Sequence, residues 1–128
     1  MSPRSPLGRV LGHGAARQGV HHWWSQRTTS VALALLGAWF VFALLTLPDL
    51  GYGAVSAWIA KPLTAVLLGL FVAVSAWHSA LGVQVVIEDY VRAAGPRVAA
   101  LVASRFLHVL VATAALFAIL KISLGGAA

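Results

Sequence analysis

Two long segments of the chain carry no formal charge, and a third segment is nearly as long. Arg27 is followed by 21 uncharged residues before Asp49, and Lys61 is followed by 26 before Glu88. The third segment, 106–120, has 15. About 20 helical residues cross the roughly 30 Å hydrocarbon layer of a membrane. The pattern predicts an all-α membrane protein with three transmembrane helices, at about 28–48, 62–87 and 98–122.

The composition also indicates a lipid environment. Hydrophobic residues make up 60% of the chain and charged residues 9%, against about 25% charged residues in soluble domains. The net charge of +6 does not indicate nucleic-acid binding, because the nine basic residues form no block and lack interleaved aromatic patches. The absence of cysteine excludes thiolate metal sites and directly bound iron–sulfur clusters.

Residues 1–18 are expected to form a flexible tail and residues 19–128 a three-helix transmembrane domain.

The basic residues predict how the chain is oriented. Seven arginines fall on the side of the N terminus and the second loop, and two lysines fall on the other side. They are Arg4, Arg9, Arg17, Arg27, Arg92, Arg97 and Arg105, against Lys61 and Lys121. The positive-inside rule therefore predicts a cytoplasmic N terminus.

Two connections are expected between these helices. Residues 50–61 are interpreted as a short turn whose aromatic residues, Tyr52 and Trp58, lie at the lipid headgroups. The Gly95-Pro96 pair is interpreted as a break in the second loop, before a helix that begins near Val98.

His78 is an ionisable residue inside an apolar helix, where such residues are rare and commonly functional. It lies 11 residues before Asp89, about 16 Å along a helix. A neutral imidazole at this depth can ligate haem iron. Gly82, four residues on, would let a flat macrocycle approach the same helix face. A packing histidine bonded to another helix is the alternative, and it is the stronger interpretation for His108, near the cytoplasmic end.

Polar residues also mark the cytoplasmic ends of the first two helices. Asp89 lies about three turns from His78 on the same stripe, and the Tyr90 phenol beside it can donate a hydrogen bond to a quinone carbonyl. The alternative is an ordinary polar cluster at a helix end. Arg27 has a forked donor set that could hold a haem propionate with help from His21. The alternative there is an interfacial anchor beside two tryptophans.

Together these segments resemble the hydrophobic membrane anchor subunit of bacterial succinate dehydrogenase, the respiratory complex II. Residues 19–30 read GVHHWWSQRTTS, similar to that family's start of helix one. Residues 78–91 read HSALGVQVVIEDYV, similar to its helix-two signature. The likeness extends from Gln18 to the C terminus.

The resemblance implies a role for each matching residue. His78 matches an axial ligand of haem b, and Tyr90 and Asp89 match the ubiquinone site. Arg27 and His21 match basic residues near the haem propionates. Some branches of the family lack haem, so the motif alone does not establish the cofactor. The role of His22 is left open.

The resemblance also implies partners: a flavoprotein subunit, an iron–sulfur subunit and a second membrane anchor subunit, in the bacterial inner membrane. The second anchor is expected to supply the other axial histidine of the haem. The chain itself is expected to have no catalytic residues, because succinate is oxidised in the soluble subunits. Two alternatives stay open. One is a structural three-helix anchor without a cofactor, and the other is a fumarate reductase anchor that uses menaquinone.

Overall fold

The computed structural model describes residues 15–125, with side chains from residue 19 onward, and every regular element in that part is an α-helix. The helices are α1 (Ala15–Leu45), α2 (Tyr52–Ile59), α3 (Pro62–Tyr90) and α4 (Ala94–Gly125). Helices α1, α3 and α4 are long and apolar enough to cross a membrane. The predicted all-α fold with three membrane-spanning helices is confirmed.

Helix α1 begins well before the start predicted from charge, at Ala15 instead of residue 28. An uncharged run indicates where lipid begins, whereas residues 15–27 contain no proline that would interrupt helical hydrogen bonding. The helix ends at Leu45, three residues before Pro48, because a proline disfavours helical backbone in the residue that precedes it. Of the predicted tail, residues 15–18 have helical backbone and residues 1–14 lie outside the described part.

The connection after α1 contains a short helix, where the sequence predicted a turn. The Asp49 side chain accepts a hydrogen bond from the backbone N–H of Gly51 at 2.7 Å. This local turn is typical of aspartate and directs the chain into α2. The eight residues of α2 then cover one end of the bundle, against α3 and α4.

Trp58 of α2 is buried against other helices, and its predicted position at the level of the lipid headgroups stays a prediction. The indole is 9% exposed and stacks on Trp39 of α1, with ring centroids 6.0 Å apart and planes 26° apart. Phe40 lies 6.2 Å from it and stacks in turn on Phe71 of α3 at 5.2 Å. A column of aromatic rings therefore holds α1, α2 and α3 together, because offset rings attract beyond their shared apolar area. Tyr52, in contrast, is exposed.

Helix α3 is the central helix of the bundle. It packs against both α1 and α4, whereas within the described residues no Cα atom of α1 lies within 8 Å of a Cα atom of α4. A Cβ placed on Gly69 of α3 would lie 3.5 Å from Leu116 of α4, so the two helices pack closely there. Helix α3 therefore has a neighbouring helix on each side.

Helix α4 begins at Ala94, so Gly95 and Pro96 lie in its first turn and not in the preceding loop. The backbone N–H of Arg97 donates to the carbonyl of Ala93 at 3.0 Å, which closes that turn. Proline is tolerated there because N–H groups in a first turn have no partner inside the helix. The predicted break at Gly95-Pro96 is therefore wrong.

Most large apolar side chains on the three long helices are exposed, and the residues buried within the described part are Trp58, Thr64 and Leu68. Such a surface needs lipid or other apolar protein around it, because monomeric soluble proteins rarely expose large contiguous apolar patches. The protein therefore has the outer surface of a membrane protein.

The aromatic column gives a first testable prediction. Trp58→Ala should destabilise this protein by roughly 3 kcal/mol, the range for truncating a buried aromatic residue. The expected result is a lower melting temperature of the detergent-solubilised protein, followed by tryptophan fluorescence. Trp58→Phe keeps a ring in the column and should recover most of the loss. Equal melting temperatures for Trp58→Ala and the unmodified protein would contradict the role of the column.

Candidate functional site

One stripe of α1 carries polar residues toward α3. His22, Gln26 and Thr29 have the spacing i, i+4, i+7, which places all three on the same face of a helix. Each is partly shielded from solvent, although the surrounding sequence is rich in exposed apolar residues. The polar stripe of α1, as we call these three residues, therefore faces protein and not lipid.

His78 of α3 meets the polar stripe with both ring nitrogens. Its Nδ1 lies 2.9 Å from the Thr29 hydroxyl oxygen, and its Nε2 lies 3.4 Å from the Gln26 side-chain nitrogen. The first distance is that of a good hydrogen bond, whereas the second exceeds the usual 2.7–3.2 Å range. The imidazole is thus held on its Nδ1 side and only loosely contacted on its Nε2 side.

Two atoms of the polar stripe are buried without a hydrogen-bond partner among the described residues: Nε2 of His22 and Oε1 of Gln26. Buried polar atoms in native proteins are nearly always paired, so each unpaired atom calls for an explanation. Both lie on the stripe that contacts His78. The seam between α1 and α3 is therefore polar and only partly satisfied by this chain.

A second polar line joins α3 to α4. The ring nitrogens of His108 lie 2.7 Å from the Ser104 carbonyl oxygen and 3.1 Å from the Ser79 hydroxyl. Further along, Arg105 donates to Gln84 at 3.5 Å, and Gln84 donates to Glu88 at 2.8 Å. Because His108 uses both nitrogens within the chain, its contacts are those of a packing histidine.

Two cavities lie beside these polar lines. The first, of about 460 Å³, lies between α3 and α4 next to Arg105 and His108. The second, of about 360 Å³, extends toward α1 and reaches His21 and His22. Both are lined by Trp77, Leu81, Gln84 and Arg105. The two cavities are therefore neighbouring parts of one groove around the α3 residues next to His78.

Arg27 and His21 lie near the level of His78 on α1. Arg27 directly follows Gln26, which contacts His78, and its guanidinium lies 5.4 Å from the centroid of the Trp23 ring. Both residues are exposed. The Arg27 charge is thus oriented by an aromatic face, a favourable contact that leaves its forked donors available.

The structure places Tyr90 and Asp89 at the end of α3, apart from His78. Tyr90 follows His78 by 12 residues, which is about 18 Å of helix, and is 82% exposed. Neither Tyr90 nor Asp89 lines the two cavities described above. Gly82 lies one turn from His78, and a Cβ placed there would meet no atom of the chain within 4 Å. The surface beside Gly82 is therefore open.

Sequence reasoning missed Thr29 and Gln26, the two residues that contact His78. The usable signal was the heptad-like spacing of His22, Gln26 and Thr29 in an otherwise apolar helix. Polar residues on one face of a membrane helix usually face another helix. That rule predicts a partner for the stripe but does not indicate which histidine it meets.

Three helices are long and apolar enough to cross a membrane, and the central one, α3, carries His78 against the polar stripe of α1. These features define a helical membrane protein with a polar contact between two of its membrane-spanning helices. Residues 1–120 match the family model described as succinate dehydrogenase/fumarate reductase transmembrane subunit. The chain therefore belongs to that family.

Two similar proteins are themselves membrane anchor subunits. A succinate dehydrogenase hydrophobic membrane anchor subunit from Rickettsia conorii is 35% identical over 69% of this chain and 71% of its own length. One from Paracoccus denitrificans is 31% identical over 94% of this chain and 93% of its own. The predicted resemblance is confirmed. The relatives are anchor subunits of succinate dehydrogenase, and this chain is similar to them.

Proposed function

We propose that this chain anchors a succinate:quinone oxidoreductase in the membrane, supplies one axial ligand of a b-type haem through His78, and forms part of the ubiquinone site through Tyr90 and Asp89. The observation that carries the proposal is the environment of His78. Its Nδ1 is hydrogen-bonded to Thr29, whereas its Nε2 has only a long contact with Gln26. Metal-ligating histidines have this arrangement, with one nitrogen bonded and the other available.

The residues present fit a haem. Two buried polar atoms without partners, on His22 and Gln26, lie on the stripe that faces His78. Open space beside Gly82 would admit a flat group against the same face of α3. No group of three or more histidine or acidic residues suited to a bare metal ion occurs in the described part of the chain. A haem needs only one ligand from this chain, which His78 can provide, whereas a bare metal ion would need several.

Arg27 and His21 would hold the propionate side of the haem. Both are exposed on α1 near the level of His78, and Arg27 has donors suited to a carboxylate. An arginine at this level of an apolar bundle needs an anion or water, since a lone charge in hydrocarbon is unfavourable. When bound, a haem would supply a reversible one-electron carrier.

Tyr90 and Asp89 would act on the quinone. The Tyr90 phenol donates a hydrogen bond to a quinone carbonyl, which stabilises the negative charge that develops on that oxygen during reduction. The Asp89 carboxyl lies beside it as a route for protons from the aqueous side. Both side chains are exposed in the isolated chain. The proposed pocket is completed by partner subunits.

The proposed partners are a flavoprotein, an iron–sulfur protein and a second membrane anchor, in a bacterial inner membrane. The exposed apolar surface of α1, α3 and α4 can accommodate a second membrane protein as well as lipid. The chain has no cysteine, so the iron–sulfur clusters belong to another subunit. Co-purification of all four proteins in mild detergent is the expected result.

We propose that the N terminus faces the cytoplasm, and the absence of cysteine makes this testable. Ala93→Cys, in the exposed α3–α4 connection, should react with a membrane-impermeant maleimide only after cells are permeabilised. Lys61→Cys, exposed between α2 and α3, should react in intact spheroplasts. A difference of about tenfold in labelling is expected, since the bilayer blocks the reagent. The reversed pattern would contradict the positive-inside assignment.

A second candidate function is that of a structural anchor without a cofactor. The hydrogen bond between His78 and Thr29 favours it, because a packing histidine makes the same contact. A dithionite-reduced minus oxidised spectrum of the purified complex separates the two functions. Haem b bands together with quinone-dependent succinate oxidation support the proposed function. A colourless complex without quinone-dependent activity supports the structural anchor.

A further inference from the structure

The Thr29 hydroxyl has one proton and three neighbours. Its oxygen lies 2.7 Å from the Ser25 carbonyl oxygen, 3.1 Å from the Gln26 carbonyl oxygen and 2.9 Å from Nδ1 of His78. The two carbonyls can only accept, so the hydroxyl proton is directed into the helix backbone. Threonine in a helix commonly bonds in this way to the preceding turn. The hydroxyl oxygen then offers a lone pair to the imidazole.

This arrangement determines which ring nitrogen of His78 carries the proton. Because Thr29 offers a lone pair, Nδ1 of His78 must be the donor, and in the neutral ring Nε2 then has the free lone pair. The Gln26 side-chain nitrogen, at 3.4 Å, points a donor toward that lone pair. The contact is long, and the Gln26 oxygen is buried with no partner among the described residues. Gln26 is therefore a weak occupant that an iron atom can displace.

We propose that Thr29 is a positioning residue that holds His78 in its Nδ1–H tautomer, with Nε2 as the iron-binding atom. The inference rests on the proposed haem ligation and adds the residue that fixes the tautomer of the ligand His78. The relay runs from Nδ1–H of His78 to the Thr29 hydroxyl, and from that hydroxyl to the Ser25 carbonyl. By accepting from Nδ1–H, Thr29 makes the imidazole a stronger electron donor to iron.

The test compares three variants of the intact complex: Thr29→Val, Thr29→Ser and Thr28→Val. Valine keeps the shape of threonine and removes the hydroxyl, and serine keeps the hydroxyl. Thr28 is the exposed neighbour and serves as the control. Thr29→Val is expected to lower haem retention by about 10–100-fold, the usual effect of losing such a partner. Thr29→Ser and Thr28→Val should retain haem like the unmodified complex.

The haem potential provides a second readout that mere misfolding would not imitate. Weaker donation from His78 favours the reduced iron, so the midpoint potential of the Thr29→Val complex should rise. A tenfold change in the relative affinity for the two oxidation states corresponds to about 59 mV. The low-spin haem signal in electron paramagnetic resonance should shift with it. Unchanged haem retention, potential and signal in Thr29→Val would overturn the proposal.

A third readout does not depend on haem. Magic-angle-spinning NMR of the haem-depleted complex with ¹⁵N-histidine identifies His78 as the signal lost in His78→Ala, because bound iron would by itself impose the Nδ1–H tautomer. The expected tautomer is Nδ1–H, and Thr29→Val should broaden it into a mixture. An Nε2–H tautomer in the haem-depleted complex without substitutions would overturn the positioning role of Thr29. Absence of haem from the unmodified complex would instead remove the proposed ligation and leave the NMR result to decide the role of Thr29.

Discussion

His78→Ala is expected to abolish the Soret and α bands of haem b in the purified complex. The substitution removes the only nitrogen of this chain proposed to bind the iron, so haem retention should fall by more than the roughly 10–100-fold typical of losing an outer partner. The assembled complex should still contain all four proteins, because His78 is only partly buried. The measurement is a reduced minus oxidised absorbance spectrum, normalised to the flavin content.

His108→Ala is the matched control, since it removes a histidine of α4 that contacts the same central helix. Both ring nitrogens of His108 are bonded within the chain, to Ser104 and Ser79. The control should therefore keep its haem spectrum while losing some thermal stability. An unaltered Soret band and midpoint potential in His78→Ala would remove His78 from the ligands.

Tyr90→Phe is expected to slow ubiquinone reduction by about 10–100-fold while leaving reduction of a soluble dye unchanged. The phenol is proposed to donate one hydrogen bond to the quinone, and an unmade bond of this kind accounts for about 1–3 kcal/mol. Dye reduction depends on the soluble subunits, which the substitution does not touch. The ratio of quinone-dependent to dye-dependent succinate oxidation measures the effect and is independent of the amount of complex.

Tyr52→Phe is the control for this prediction. Tyr52 is the second tyrosine of the chain, is equally exposed at 86%, and begins α2 at the opposite end of the bundle. Its substitution should leave both activities unchanged. Equal loss of quinone and dye reduction in Tyr90→Phe would show that the complex was damaged generally and would contradict a role at the quinone.

The three membrane-spanning helices could be predicted from charge alone because a membrane excludes charge over a fixed thickness. The ends of the helices could not be predicted in this way. Helix α1 continues beyond the uncharged run to Ala15, and α4 accommodates Pro96 in its first turn. The α2 helix was missed for a related reason. Tryptophan is common at membrane interfaces, so the local sequence does not indicate that Trp58 is buried. Its burial depends on Trp39 and Phe40 from another helix.

The candidate site shows the same division between local and long-range information. His78 stood out because an ionisable residue in an apolar run is unusual by itself. Thr29 and Gln26 are ordinary as single residues, and their contact with His78 joins positions about 50 residues apart. No local pattern specifies that pairing. The roles of His78, Tyr90 and Asp89 stay predictions, because their proposed ligands come from outside the chain.

A cryo-electron microscopy map of the intact complex in mild detergent would test whether His78 is a haem ligand without any substitution. The expected map has a flat macrocycle bonded to Nε2 of His78, with Nδ1 still beside the Thr29 hydroxyl and Gln26 moved away. A map in which Nε2 keeps its contact with Gln26, with no macrocycle between this chain and its neighbour, would contradict the proposed haem site.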